Sequence, residues 1–232
     1  MINTRFRTIW IFLISVGIHL ILFCGPSCCA EDMWEHVGTY DGVALFRSLE
    51  EKEGLLPFKA VAELDVAYDK IVMALVDAES KASWAPKLKA TAIHAVPSSN
   101  SFEYSEYYET PWPFKDREFL LLGGVLYLDD RILFTAINSP HDNLARADHQ
   151  LANIERLNFT IIPLSDHKTR VSFEFSGDLG GWIPDFVKNI IQKKWPVRFI
   201  QSLKDHIATH PVLETERYLA LVKPPFAIPL HP

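Results

Sequence analysis

Glu106 stands where its neighbours call for an apolar side chain: Phe102, Tyr104 and Tyr108 share its parity, while Glu103, Ser105 and Glu109 fall on the other. A carboxyl at such a position leaves water. It then needs a cationic partner, or it takes up a proton as burial raises its pKa toward neutrality, the setting for a general base. Arg117, between Asp116 and Glu118, is the nearest candidate partner, because a guanidinium forks onto a carboxylate through two parallel hydrogen bonds. A structural ion pair is the commoner role for such an arginine, and contact with a ligand head group is the alternative.

Other chemistry-bearing spacings carry less. His206 and His210 stand four apart, which is metal-ligand spacing, but no acidic residue accompanies them in a His-Glu-x-x-His arrangement, and histidines favour helix C-termini. Asp148-His149 and Asp166-His167 pair an acid with an imidazole in segments that read as turns, where both residue types are common. The chain contains no Gly-x-Ser-x-Gly elbow, Gly-x-Gly-x-x-Gly fingerprint or phosphate loop, so no hydrolase, nucleotide or dinucleotide reading has a residue to start from. The cysteines are Cys24, Cys28 and Cys29, which leaves everything after residue 29 without a thiol nucleophile or a disulfide. Asn158-Phe159-Thr160 fits the glycosylation acceptor pattern but falls inside a strand pattern and is read as chance. With 23 Lys and Arg against 29 Asp and Glu, a net charge of -6 and no basic run, nothing drives binding to a nucleic-acid backbone.

The elements that must position these residues follow from periodicity. Arg5 and Arg7, a charge-free and mainly apolar stretch from Ile9 to Cys24, and small residues up to Ala30 have the layout of an export leader over residues 1–30. The body is then exported to the periplasm or secreted, or anchored if the leader stays attached. Residues 31–210 read as one domain, and the proline-bearing residues 211–232 as an extended tail. Ile71, Val72, Leu75 and Val76 predict a helix over 69–81 closed by Pro86. Sequential strands follow over 102–109, 117–128, 132–136, 157–161 and 170–175, with a bulge or curl expected at Gly123-Gly124. After Pro184, the residues Phe186, Ile190, Val197, Ile200, Leu203 and Ile207 predict one face of a long helix, kinked near Lys194 by Pro196. A curved antiparallel sheet against one long helix is an α+β fold of two layers.

In order along the chain, Pro111-Trp112-Pro113-Phe114-Lys115-Asp116-Arg117-Glu118-Phe119 and Gly177-Asp178-Leu179-Gly180-Gly181-Trp182-Ile183-Pro184 resemble the signature segments of START domains, the steroidogenic-acute-regulatory-related lipid-transfer modules. Trp34, Asp41 to Phe46 and Trp84 fall where that family places them, so the resemblance spans residues 33–210. It implies the helix-grip fold, a curled sheet wrapped around the last helix with an internal cavity for one hydrophobic ligand. Tyr104, Glu106, Tyr108, Arg117, Phe119, Leu121, Phe134, Asn158, Phe159 and Phe173 would then contact that ligand, with Asn158, Arg156 or Glu155 supplying a polar end. Loops 139–143 and 177–182 would form the gate. Sterol-type members carry a second arginine six residues beyond the motif arginine, where this chain has Gly123, so the ligand class stays open.

The resemblance implies a carrier or sensor of a lipid or other hydrophobic small molecule, working without catalysis and without a cofactor, in transient contact with a membrane. The rival expectation is a cyclase- or aromatase-like enzyme of the same superfamily with Glu106 as general base.

Overall fold

A computed structural model describes residues 34–49 and 55–223; the expected leader, its three cysteines and the end of the tail lie outside them. Among the described residues ten strands make one sheet: β1 (Trp34–Tyr40), β2 (Val43–Ser48), β3 (Leu55–Leu64), β4 (Leu88–Ser98), β5 (Ser101–Tyr108), β6 (Arg117–Tyr127), β7 (Ile132–Asn138), β8 (Gln150–Leu151), β9 (Asn153–Ser165) and β10 (Lys168–Asp178). The spatial order is β1-β2-β3-β10-β9-β7-β6-β5-β4, antiparallel throughout, with the short β8 added in parallel to β6. Asp41 and Gly42, both at positive φ, make the two-residue turn between β1 and β2, so the strand expected from Asp41 begins at Val43.

The helices are α1 (Tyr68–Val76), α2 (Ala78–Trp84), α3 (Asp185–Thr209) and α4 (Glu216–Ala220). The single helix expected over 69–81 is two. Asp77 leaves helical geometry and its carboxylate accepts the backbone N–H of Ser80 at 3.1 Å, capping α2 as α1 ends. That break turns the second helix relative to the first and lets α2 present its own face, Lys81 and Trp84, to the interior. Residues 212–223 are not an extended tail, since α4 delivers Tyr218 to the core and Leu221 follows it there.

Two further expectations need correction. The Gly123-Gly124 pair makes no bulge: β6 keeps unbroken register with β5 and β7 through it. The requirement there is space, because a Cβ on Gly124 would lie 2.5 Å from the Asn100 carbonyl oxygen. In α3, which runs unbroken through Pro196, Val197, Ile200, Leu203 and Ile207 are buried as expected, but Phe186 and Ile190 are exposed. Val187, Ile191 and Trp195, spaced by four, pack on the core in their place. Apolar residues in the first half of α3 lie on two faces, and only one of them can meet the sheet.

Across the sheet the alternation is strict: Phe134, Phe159 and Phe173 point to the α3 side and Thr135, Asn158 and Ser172 to the other. The core therefore sits between the inner face of the sheet, α1, α2 and the second half of α3.

Candidate functional site

Strand alternation brings Tyr104, Glu106 and Tyr108 of β5 inward, beside their partners Leu121, Phe119 and Arg117 on β6. Into this surface α2 inserts Lys81, 3% exposed, next to Glu106, 1% exposed. The Lys81 ammonium donates to Glu106 Oε1 at 2.5 Å, and the Tyr108 hydroxyl donates to Oε2 at 2.6 Å. Lys81 also lies over the Phe134 ring, 5.6 Å from its centroid. Buried charge this far from water persists only when it is paired and hydrogen-bonded, and both Glu106 oxygens meet that condition.

The Tyr104 hydroxyl is different. It is buried and has no hydrogen-bond partner in the structure. Burial, and after it the charge of Glu106, pushes both the Tyr104 and the Tyr108 phenols well above their ordinary range, so both stay protonated donors at neutral pH. Tyr104 thus keeps an unused donor and acceptor on an otherwise apolar wall, where an unmade hydrogen bond costs ~1–3 kcal/mol.

That wall is aromatic. Phe159 stacks on Phe173 at 4.6 Å and 7°, and Tyr108 meets Phe119 at 4.7 Å. Trp195 of α3 stands nearly perpendicular to Tyr108, Phe119, Phe173 and Phe175, with centroids 5.4–6.1 Å away. Rings from the helix and the sheet thus fill the region between them. Open grooves of about 330 and 520 Å³ lie elsewhere, one at the β5-β6-β7 strands around Gly124 and one between α2, β4 and α4. Neither is lined by any of the ten residues expected at the ligand.

Arg117 is buried on the same side, but Glu106 is not its partner. Its guanidinium donates to the carbonyl oxygens of Lys115 at 2.5 Å, Gly180 at 3.2 Å and Leu179 at 3.4 Å. Burial lowers its pKa, against the raising effect of Asp116 and Asp178. The arginine ties the segment before α3 to the start of β6. Asn158 faces the opposite side of the sheet from Phe159 and accepts the Thr135 hydroxyl at 2.6 Å. Arg156 and Glu155 do not supply a polar end either: Arg156 approaches Glu174 at 4.0 Å, and Glu155 accepts from Ser176.

The residues that sequence reasoning missed are Lys81 and Trp195. Lys81 lies three residues before Trp84, so both share a face of α2, and a lysine on the face of a tryptophan was the available signal. Beyond the sheet, the 139–149 loop is clasped to the outer face of β5 and β6. Glu103 accepts from Ser139 and pairs with His141 Nδ1 at 2.7 Å, while Glu118 accepts the Ser105 hydroxyl and the Arg146 backbone N–H, each at 2.7 Å.

No protein-family profile matches the sequence, and no curated protein does. Solved structures do match its fold. Human STARD10 is 18% identical over 83% of this chain and 82% of its own, with a TM-score of 0.75. A STAR-related lipid transfer protein from Xanthomonas axonopodis, 21% identical, matches over 77% of this chain and 100% of its own with a TM-score of 0.67. Human StAR-related lipid transfer protein 5 is 15% identical over 76% of this chain and 86% of its own, with a TM-score of 0.69. The curved antiparallel sheet and long C-terminal helix of this chain have the fold of the START-related lipid-transfer domains.

Proposed function

We propose that the chain binds a lipid or other hydrophobic ligand between its sheet and α3, without catalysis, in an exported setting, and exchanges that ligand with a membrane. The observation that carries this reading is the inner face itself: a wall of rings around a neutral, hydrogen-bonded Lys81–Glu106–Tyr108 cluster, with one unpartnered hydroxyl, Tyr104, beside it. Such a surface offers apolar burial, worth ~25 cal/mol per Å², and one free polar partner to orient a head group. Two of the structural neighbours, from Xanthomonas axonopodis and human, are named as STAR-related lipid transfer proteins, which supports the same reading.

Mass spectrometry of organic extracts from the purified protein tests it. A co-purifying hydrophobic molecule is the expected result. Empty extracts, together with no binding to fatty-acid, phospholipid and sterol panels, would remove the proposal.

The enzymatic alternative needs Glu106 as a base. Both oxygens of Glu106 already accept hydrogen bonds, so proton abstraction there would first require breaking one of them. Turnover abolished by Glu106→Gln with ligand binding intact would reinstate that alternative.

A further inference from the structure

On the outer face of the sheet, away from α3, Leu126 of β6 and Ile137 of β7 are large apolar side chains left 49% and 52% exposed. They border the open groove of about 330 Å³ around Gly124, together with Leu122, Thr135 and Asn100. No lining residue of this groove is charged. The groove between α2, β4 and α4 differs in this respect, since Asp77, Glu79, Glu216 and Arg217 line it.

Asn100 also holds the chain after α4. Its side-chain amide meets the Val222 backbone in both senses: Oδ1 accepts the Val222 N–H at 2.8 Å and Nδ2 donates to the Val222 carbonyl at 3.3 Å. The same Nδ2 donates to the Val125 carbonyl of β6 at 2.9 Å. One side chain thus fastens residue 222 at the border of the uncharged groove. In the sequence, Pro224-Pro225-Phe226-Ala227-Ile228-Pro229-Leu230-His231-Pro232 follow, without an acid, a lysine or an arginine. Phe226, Ile228 and Leu230 alternate, and an extended chain presents alternate side chains to one side. The prolines have no N–H to satisfy on an apolar surface, and their fixed φ lowers the entropy lost on docking. Missing donors make such a segment a poor sheet edge, so a groove on the sheet's face suits it better.

We infer that the groove around Gly124 is the docking site of this chain's own residues 224–232, with Phe226, Ile228 and Leu230 set against Leu126, Ile137 and the bare backbone at Gly124. Reach is ample: nine extended residues span up to roughly 30 Å, whereas the two strand spacings from β5 across β6 to β7 amount to ~10 Å. The anchor at Asn100 makes the contact intramolecular, at an effective concentration on the order of mM, so a segment that would bind only weakly as a free peptide is held. Docking covers the exposed pair Leu126 and Ile137 and straps α4, whose Tyr218 is buried in the core, to the far side of the sheet. This contact lies on the opposite face from the aromatic interior and is independent of ligand carrying.

Thiol labelling tests the inference on the full-length chain carrying Cys24→Ser, Cys28→Ser and Cys29→Ser. Leu126→Cys and, separately, Ile137→Cys report on the groove, while Val96→Cys, at a 56% exposed position of the charged groove, reports on the fold. Adding Phe226→Ser, Ile228→Ser and Leu230→Ser is expected to speed labelling at 126 and 137 by a charged maleimide about tenfold and to leave labelling at 96 unchanged. Equal rates at 126 and 137 with and without the three serine substitutions overturn the inference. Protection that fades on dilution overturns it as well, because the groove then belongs to a second copy of the chain. If labelling at 96 also accelerates, the serine substitutions have loosened the fold, and Ile137→Cys with Ile228→Cys decides instead. A disulfide within one chain, formed at a rate independent of protein concentration, is then expected, and its failure to form overturns the docking site.

Discussion

Lys81 and Glu106 are an ion pair that neither residue could keep alone. With the lysine removed, Glu106 would hold a charge in an aromatic interior with only the Tyr108 hydroxyl to meet it. Lys81→Met is therefore expected to destabilise the fold by ~3–5 kcal/mol, whereas Lys81→Met with Glu106→Leu should recover most of that loss. Urea unfolding checks both, and a double variant as unstable as the single would show that the pair is not the source of the effect. On the outer face, hydrogen bonds from Ser139 and His141 hold Glu103 below its ordinary carboxyl range. An unfolded chain therefore takes up this proton before the folded one does. The contact's contribution is complete above the ordinary value near ~4.3 and is lost as pH falls through the lower folded value. Between about pH 6 and about pH 3, wild type should lose more stability than Glu103→Gln, and parallel losses would contradict the assignment. The sequence made Glu106 legible through its parity. Lys81 is not legible there, because the helical pattern runs on from α1 into the segment that carries it, and the break at Asp77 sets which face of α2 turns inward.

At the scale of elements, the strands with clean alternation were legible, and so were the extent of α3 and the importance of Arg117. The strands β1, β3 and β4 were less so: β4 is largely exposed along its length and lies at a sheet edge, where burial imposes no strict pattern. For the first half of α3, spacing alone does not choose between Phe186-Ile190, which are exposed, and Val187-Ile191-Trp195, which pack on the core. What chooses is the segment just before the helix, fixed by two constraints. Arg117 binds its carbonyls, and Gly180 adopts φ +72° with its Cα so close to β8 that a Cβ would lie 2.3 Å from the Leu151 carbonyl oxygen. Gly180→Ala is expected to cost ~1–3 kcal/mol through forced backbone movement. Arg117→Lys, which keeps the charge but loses the fork, should cost a similar ~1–3 kcal/mol. Because both act on one segment, their combination should fall short of additivity in a double-mutant cycle. Strict additivity would mean that the two residues hold different parts of the molecule.

For the whole molecule, the sheet and α3 meet across rings that already touch, so a ligand bound there must displace aromatic contacts before it makes its own. Trp195 stands at the centre, within ring contact of β3, β5, β6 and β10 through Phe58, Tyr108, Phe119, Phe173 and Phe175. A protein whose binding-competent form is a minor state shows an affinity reduced by the fraction of that state, and removing the obstruction restores it. Trp195→Ala should thus have two opposite effects. It should destabilise the ligand-free fold by less than the ~3–5 kcal/mol of a fully buried aromatic, because Trp195 is partly buried, and it should tighten the binding of a fluorescent hydrophobic probe. Wild type should meanwhile gain thermal stability with probe concentration, since a ligand that binds the folded form alone raises its free energy of unfolding. The two measurements together are decisive because a merely structural Trp195 predicts only the first effect. If the variant is unstable yet binds the probe no better, and the melting temperature of wild type ignores the probe, the ring cluster is a closed core and the ligand must be sought outside the space between the sheet and α3.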